Sequence, residues 1–516
     1  MAVNNTNTNH LSSSNNIRIA KNSFYMSIRM IVVLCVTLFS TRIILNALGV
    51  DDYGIFNVVA GFVSLFSFLS TSMSNSIQRF YNFEYAKNGI VGANRVFNTS
   101  ILIQLILAVI LVALLEIFGP WYIQNKMVLP IPRLNTALAL FQFSVISFIC
   151  VIIQAPFLAA VMAHERMGFY SVVSVLDASL KLAIAYVLSF LGGDHLLKYG
   201  LLLVIVSLII LSIYACYARI KFVEIRFSLS IDNQLVKSML TFSGWNLFGS
   251  SSGVLKEQGV NLIMNLFFGP IVNAAKGIAT QVNNGIQSFV SNIIVPVRPQ
   301  LVQSYSLGNI DRVMRLTYSV SKFSSYILYL ISLPLLCEID YVLQLWLGLN
   351  VPEYTAPFIR IVIITSFISN LNGAISGVVH ASGKMKNYQL LGAIVNVMSL
   401  PIVYFALRLN GSPQLGMVLV ACITIVNQIV CMLVLKTIVS YSIRDYIYIV
   451  IFPFIRVVYI TCWVPIVVIR LLEPSFLRLC LTTILSVIII SIAIYLFGLT
   501  IDERKYAMRI FAKDNS

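Results

Sequence analysis

The sequence predicts an all-α polytopic membrane protein of about fourteen spans, and three observations carry that expectation: scarce charge, a series of long apolar runs, and the sign of the charge between them. Of the 516 residues, 59% are hydrophobic and only 10% are charged, with a mean hydropathy of +0.89. A soluble chain carries about 25% charged residues to wet its surface. Lipid is therefore the main solvent for this chain.

A span needs about 20 apolar residues at a rise of 1.5 Å each. Runs of that kind occupy 24–48, 53–76, 96–119, 134–157, 168–192, 199–218, 239–268, 271–296, 319–337, 358–379, 388–409, 415–435, 446–471 and 476–498. The seventh and eighth are the most polar. With both termini cytoplasmic, the inner segments hold about 22 Lys and Arg and the outer loops about 6, which follows the positive-inside bias. Inner groups include Arg79/Lys87/Arg95, Arg219/Lys221/Arg226/Lys237, Arg312/Arg315/Lys322 and the tail Arg504/Lys505/Arg509/Lys513. Outer loops are short and often acidic, as at Asp51/Asp52 and Glu338/Asp340/Glu353. A wrong count would invert this alternation midway, and it does not.

The loop distribution also explains the net charge of +16, because the basic residues form no single patch of the kind that binds nucleic acid. Eight scattered cysteines offer neither a CxxC pair nor a His/Cys ligand spacing, so no metal site and no disulfide framework is expected. The Asn/Ser/Thr-rich start, residues 1–23, reads as a disordered cytoplasmic tail without a cleavable signal, and 499–516 as a basic cytoplasmic tail.

The chain repeats itself at a shift of about 220 positions, a sign of duplicated architecture. Gly49 falls on Gly269, Tyr85 on Tyr305 and Arg95 on Arg315; Ala163–Met167 with Tyr170 meets Ala381–Met385 with Tyr388. Each half starts inside and holds an even number of runs, so the repeat is parallel. The expected organisation is an N-lobe at 24–218, a cytoplasmic linker at 219–238, a C-lobe at 239–435 and two extra helices within 446–498.

Polar side chains in lipid mark either a water-filled cavity or a helix interface. The seventh run carries Asn246, Ser250, Gly253, Glu257 and Asn261 on one stripe, and the eighth carries Asn273, Lys276, Thr280, Asn284, Gln287 and Ser291. The second run matches them with Asn57, Gly61, Ser64, Thr71, Ser74, Asn75 and Gln78. Helix–helix glue is the plain reading of any one such residue. The length of the eighth stripe, and its lysine, favour a cavity.

Charges inside the runs are Arg29, Arg42, Asp177, Lys181, Lys256, Glu257, Lys276 and Arg456. Each costs about 2.5–3.5 kcal/mol at mid-membrane unless paired or hydrated. Asp177 and Lys181 are i,i+4 neighbours that either neutralise one another or couple transport to an ion. Arg29 and Arg42 lie toward opposite ends of the first run, where snorkelling also explains them. The acids leave a cationic surplus, which suits a ligand carrying negative charge through the bilayer, such as a diphosphate. The binding candidates are Arg29, Arg42, Lys181, Lys256, Lys276, Asn246, Asn284 and Gln287, with Glu257 and Asp177 as ion-coupling candidates. No catalytic residue is assigned. There is no GxxxxGK[ST] loop, no GxSxG, and His164-Glu165 lacks the second histidine of a zincin. No cofactor is expected, with Na+ or H+ coupling left open.

The stretches LGVDDYGIFNVVAGFVSLFSFL, QAPFLAAVMAHERMGFYSVVSVLDASLKL and GWNLFGSSSGVLKEQGVNLIMNLFFGPIVNAAKGIATQVNNGIQSFVSN resemble Wzx-type polysaccharide flippases. Those flippases belong to the multidrug/oligosaccharidyl-lipid/polysaccharide exporter superfamily. The resemblance implies a fourteen-helix, two-lobed transporter of the bacterial inner membrane with a central cationic cavity and alternating access. It implies a polyprenyl-diphosphate-linked oligosaccharide as substrate, membrane lipids around it, and a glycan polymerase as candidate partner. It also implies that the two extra helices help form a groove for the lipid tail. Two rival readings stay open: an ion-coupled multidrug antiporter of the same superfamily, and a membrane glycan polymerase or ligase.

Overall fold

A computed structural model describes residues 4–190, 192–228, 232–382, 384–409, 411–439, 442–500 and 503–504, with side chains from residue 28 onward except at scattered helical positions. The described residues are mainly helical and contain no strand. Eleven helices among them are long and apolar enough to cross a membrane. The chain is thus a polytopic α-helical membrane protein. Contacts divide it into two compact units, 1–274 and 275–516.

The first unit holds α1 (Asn4–Ser64), α2 (Ser67–Asn125), α3 (Leu134–Ala163), α4 (Met167–Leu188), α5 (His195–Lys221) and α6 (Asn233–Phe268). Helix α1 starts at Asn4, inside the stretch read from composition as a tail, because extending a nucleated helix is cheap. It kinks at Gly49 (φ 79°, ψ 171°), and α2 kinks at Gly89 (φ 58°, ψ −143°). Only glycine enters such regions without strain. Gly269, the repeat partner of Gly49, adopts nearly the same angles (φ 72°, ψ −167°). At this pair, the repeat seen in sequence extends to the backbone angles.

The apolar run 53–76 is not one rod. It breaks at Leu65 and Phe66, where amides bond back three residues, to Phe62 and Val63, in a tightened turn. Helix α3 packs on α1, α2 and α5, and α4 packs on α1 and α5. Helix α6, assigned by sequence to the second lobe, packs on α2 and α1. Ser72 and Ser76 of α2 donate to the carbonyls of Ser243 (2.8 Å) and Met239 (3.2 Å) on α6. Such bonds hold helices together where lipid offers no competing partner. An apolar cluster of Met73, Ile77, Ile103, Ala155, Ala159 and Met239 fills the space beside them.

Helix α7 (Pro270–Ser306) bridges the two units in sequence. It is followed by α8 (Ile310–Cys337), α9 (Ile339–Leu347), α10 (Thr355–Ser382), α11 (Lys386–Arg408) and α12 (Pro413–Ile438). The last spans comprise α13 (Ile443–Tyr446), a wide π turn, α14 (Phe452–Thr461), α15 (Trp463–Leu471) and α16 (Phe476–Ala493), which ends in a second π turn. Helices α6 and α7 run 36 and 37 residues yet lie outside the eleven apolar spans, because Asn, Gln, Ser and Lys interrupt them.

Within the second unit, α8 forms the support for the C-terminal helices. Tyr326 and Tyr329 pack with Leu333, Val457, Ile490 and Ala493. The Tyr326 hydroxyl donates to the Gly498 carbonyl (3.1 Å), and the Tyr329 and Thr461 hydroxyls lie 2.9 Å apart.

Candidate functional site

Helix α4 carries a polar stripe in the first unit. Tyr170, Ser174, Asp177 and Lys181 recur at intervals of four, three and four, so they share one face. The guanidinium of Arg29 on α1 lies over the Tyr170 ring at 5.0 Å, with Nη1 3.5 Å from the Tyr170 hydroxyl. The Nε of Arg29 is buried with no hydrogen-bond partner. Asp177 accepts from Lys181 at 2.8 Å, and Tyr214 of α5 sits within electrostatic reach of Arg29, Tyr170 and Asp177. The stripe spans about 16 Å along the helix axis. The structure thus joins three of the sequence candidates, Arg29, Asp177 and Lys181, into one polar seam.

Lys181 also lines a cavity of about 450 Å³ inside the first unit. Its walls come from α1, α2, α3, α4 and α5, and most of its surface is apolar. Asp177 is not among the lining residues.

The other candidates lie apart from that seam. Arg42 is exposed, about 20 Å along α1 from Arg29. Lys256 is half-buried and Glu257 exposed on α6; as sequence neighbours they point in different directions. The side chain of Asn246 lies outside the described residues, as do those of Thr71, Asn75 and Ser250. In the second unit, Lys276 is 7% exposed, Asn284 exposed and Gln287 half-buried along α7.

Part of the polar stripe has a structural job. Asn273 donates to the carbonyl and side-chain oxygens of Asn261 (2.8 and 2.9 Å), Asn265 donates to Asn273 (3.0 Å), and the Val128 amide donates to Asn265 (3.0 Å). Asn261 reaches the Asn57 carbonyl at 3.4 Å. A Cβ at Gly54 would sit 2.0 Å from the Pro270 carbonyl oxygen. These asparagines and this glycine fasten the α6–α7 corner to α1, which is the plain reading given above.

Several charged networks escaped the sequence reading. Glu338 and Lys322 were grouped there with loops. Glu338 is buried instead, accepting from Arg478 Nη2 (2.6 Å) and Nε (3.2 Å) and from Thr482 (3.2 Å). Lys322 is buried inside α8 and pairs with Glu503 at 2.5 Å. Burial works to raise the Glu503 carboxyl, but the Lys322 ammonium and the Thr500 amide outweigh it and hold it below its ordinary value.

In the first unit, Glu224 accepts from Tyr81 (2.7 Å) and contacts His164 Nε2 (2.5 Å), while His164 stacks on Phe222 at 4.2 Å. Burial pushes Glu224 up, yet the bonds from Tyr81 and His164 pull its pKa below the usual carboxylate value. Asn94 donates to the carbonyls of Glu224 (2.6 Å) and Arg226 (2.7 Å), so the start of the 219–238 linker is docked on α2. At the other end of the unit, Arg133 bridges Asp52 (2.7 Å) and Asp194 (2.9 Å), and Asp194 caps α5. Burial would raise Asp194 too, but Thr136, the Leu197 and Leu196 amides and Arg133 together lower it. A partner 60 or more residues away is the common reason these pairs were missed. Only the acid-and-base composition of each run could have hinted at them.

No family model matches the chain, and no curated protein matches it. Solved structures do. A lipid II flippase, MurJ, in an inward closed conformation superposes with a TM-score of 0.68 at 13% identity, covering 92% of this chain and 99% of that one. An inward-facing multidrug resistance MATE transporter gives 0.65 at 14% identity, covering 79% and 97%. A superfamily transporter from Pyrococcus furiosus, described as having a binding pocket of reverse polarity, gives 0.55 at 13% identity, covering 81% and 95%. The chain has the fold of these transporters. Among the described residues no cluster of His, Cys, Asp and Glu could hold a metal ion.

Proposed function

We propose that this protein is a transporter, not an enzyme, that flips a polyprenyl-diphosphate-linked oligosaccharide from the cytoplasmic to the periplasmic leaflet of a bacterial inner membrane by alternating access. The glycan would serve surface polysaccharide assembly. The observation that carries the reading is the extent of the structural likeness. The lipid II flippase matches 92% of this chain and the MATE transporter 79%, a difference of 13 percentage points. That share of 516 residues is about the size of the C-terminal helices 443–498, and a long lipid tail is a cargo for which extra apolar surface is useful.

Charge supports the same reading. Arg29, Arg42, Lys256 and Lys276 engage the diphosphate or acidic sugars at successive stages, since guanidinium and ammonium groups are the natural partners of phosphate oxygens. Asn246, Asn284 and Gln287 contribute sugar contacts. Lys181 is held by Asp177, and Glu257 is the candidate for proton or sodium coupling. The protein would span fourteen times with both termini cytoplasmic, and the groove for the tail would be built by the helices from α13 to α16.

Alanine at Arg42 or Lys276 should abolish surface glycan display while leaving the protein inserted in the membrane. Normal display in both variants would remove the cationic site from the mechanism. Efflux of cationic drugs that survives in both variants would favour the antiporter instead.

A further inference from the structure

The cavity inside the first unit has a chemistry of its own. Phe56, Leu140, Phe143, Phe148 and Leu203 are among its walls and most of its surface is apolar, so the body of any occupant must be apolar. Its charge is one-sided. Lys181 lines it, whereas the partner carboxylate of Asp177 does not, and no other carboxylate does. Asp177 occupies one of the three Nζ donors, leaving the others for a ligand.

The serines divide in the same sense. Ser64, Ser144 and Ser207 donate to the carbonyls of Gly61 (2.9 Å), Leu140 (2.8 Å) and Leu203 (2.9 Å) on their own helices. The Ser147 hydroxyl is buried with no hydrogen-bond partner. A buried hydroxyl left unpaired costs about 1–3 kcal/mol, so a ligand atom that bonds it recovers that loss. The wall therefore offers an ammonium and an unpaired hydroxyl, set in aromatic and aliphatic surface.

We propose that this cavity is a binding site for an amphiphile with a hydrocarbon body and an oxyanion head, carboxylate or phosphate, whose head is held by Lys181 and Ser147. The site lies within one unit and needs no movement of the protein to form. It is separate from the α1, α6 and α7 cations of the transport reading and stands or falls without it.

The experiment is photolabelling of the full-length protein in detergent with a diazirine-bearing fifteen-carbon isoprenyl phosphate, followed by peptide mapping. Label should appear on the walls, in the peptides around Ser147 and Leu203. Excess unlabelled isoprenyl phosphate or palmitate should compete, and which of the two competes better identifies phosphate or carboxylate as the preferred head. Isoprenyl alcohol and inorganic phosphate should compete at least tenfold less well. Lys181→Met should reduce labelling at least tenfold, and Ser147→Phe should do so by filling the space. Asp177→Asn, which breaks the same ion pair but keeps the ammonium, should label as well as the parent. Equal competition by the alcohol, label outside the walls, or equal losses in Asp177→Asn and Lys181→Met would overturn the proposal. None of these readouts involves transport, so a failed flipping assay leaves the result intact.

Discussion

Replacing Arg478 with methionine would leave the Glu338 carboxylate facing a thioether in a site where its side chain is 0% exposed. Two charge-assisted bonds disappear, at 2.6 and 3.2 Å, and only the Thr482 hydroxyl at 3.2 Å remains. Removing one partner of a buried pair costs about 3–5 kcal/mol, because the other charge stays desolvated. At about 1.4 kcal/mol per decade, the folded-to-unfolded ratio falls roughly 100- to 3000-fold. The double variant Glu338→Gln/Arg478→Met removes both charges and should recover most of that loss, leaving about 1–2 kcal/mol for imperfect packing. The assay is reversible unfolding of the purified protein in mixed micelles by titrated SDS, followed by circular dichroism for the parent, both singles and the double. A single-variant loss below about 1 kcal/mol, or a coupling energy near zero in the cycle, would refute the claim that this pair clamps α16 to the end of α8.

The Glu224 latch should be acid-sensitive. Its folded pKa lies below the ordinary 4.5, so its contribution is complete above that value and is lost as pH falls through the lower folded pKa. Protease cleavage within 222–228 should therefore rise on acidification below about pH 4.5 in the parent, and Glu224→Gln should make cleavage independent of pH over that window. Gly54→Ala should destabilise the first unit by about 1–3 kcal/mol, since the new Cβ would meet backbone atoms of Pro270 that cannot rotate away. Gly253→Ala, in open space on α6, should instead leave the thermal midpoint unchanged or raise it slightly.

Much of the fold was legible because lipid imposes a simple rule on sequence. Apolar length alone located most spans, and the 220-residue shift paired Gly49 with Gly269 before their shared backbone geometry was known. The rule weakens where a helix is not bathed in lipid. Helices α6 and α7 are polar because asparagines such as Asn261, Asn265 and Asn273 bond to one another and to neighbouring backbone. The break at Phe66 was invisible, since Leu65 and Phe66 are ordinary members of an apolar run and only the local backbone departs from α geometry.

The site was legible in part. Asp177 and Lys181 pair as their spacing required, being four residues apart on one helix. Arg29 finds its partner Tyr170 141 residues away, Lys322 finds Glu503 at 181, and Arg478 finds Glu338 at 140. No local pattern encodes such distances. Reading Lys322 and Glu338 as loop charges followed the loop-charge bias, which describes where charge is common and says nothing about a charge whose partner makes burial tolerable.

The proposed cargo is a lipid-linked anionic glycan. The most direct measurement reconstitutes the purified protein in liposomes holding a fluorescent polyprenyl-diphosphate oligosaccharide, with and without Na+ and H+ gradients. Outer-leaflet exposure is then scored by a membrane-impermeant quencher or lectin. Transbilayer movement should require the protein and fall at least tenfold in Arg42→Ala and Lys276→Ala. Movement no faster than in protein-free liposomes under every gradient would contradict the proposed cargo.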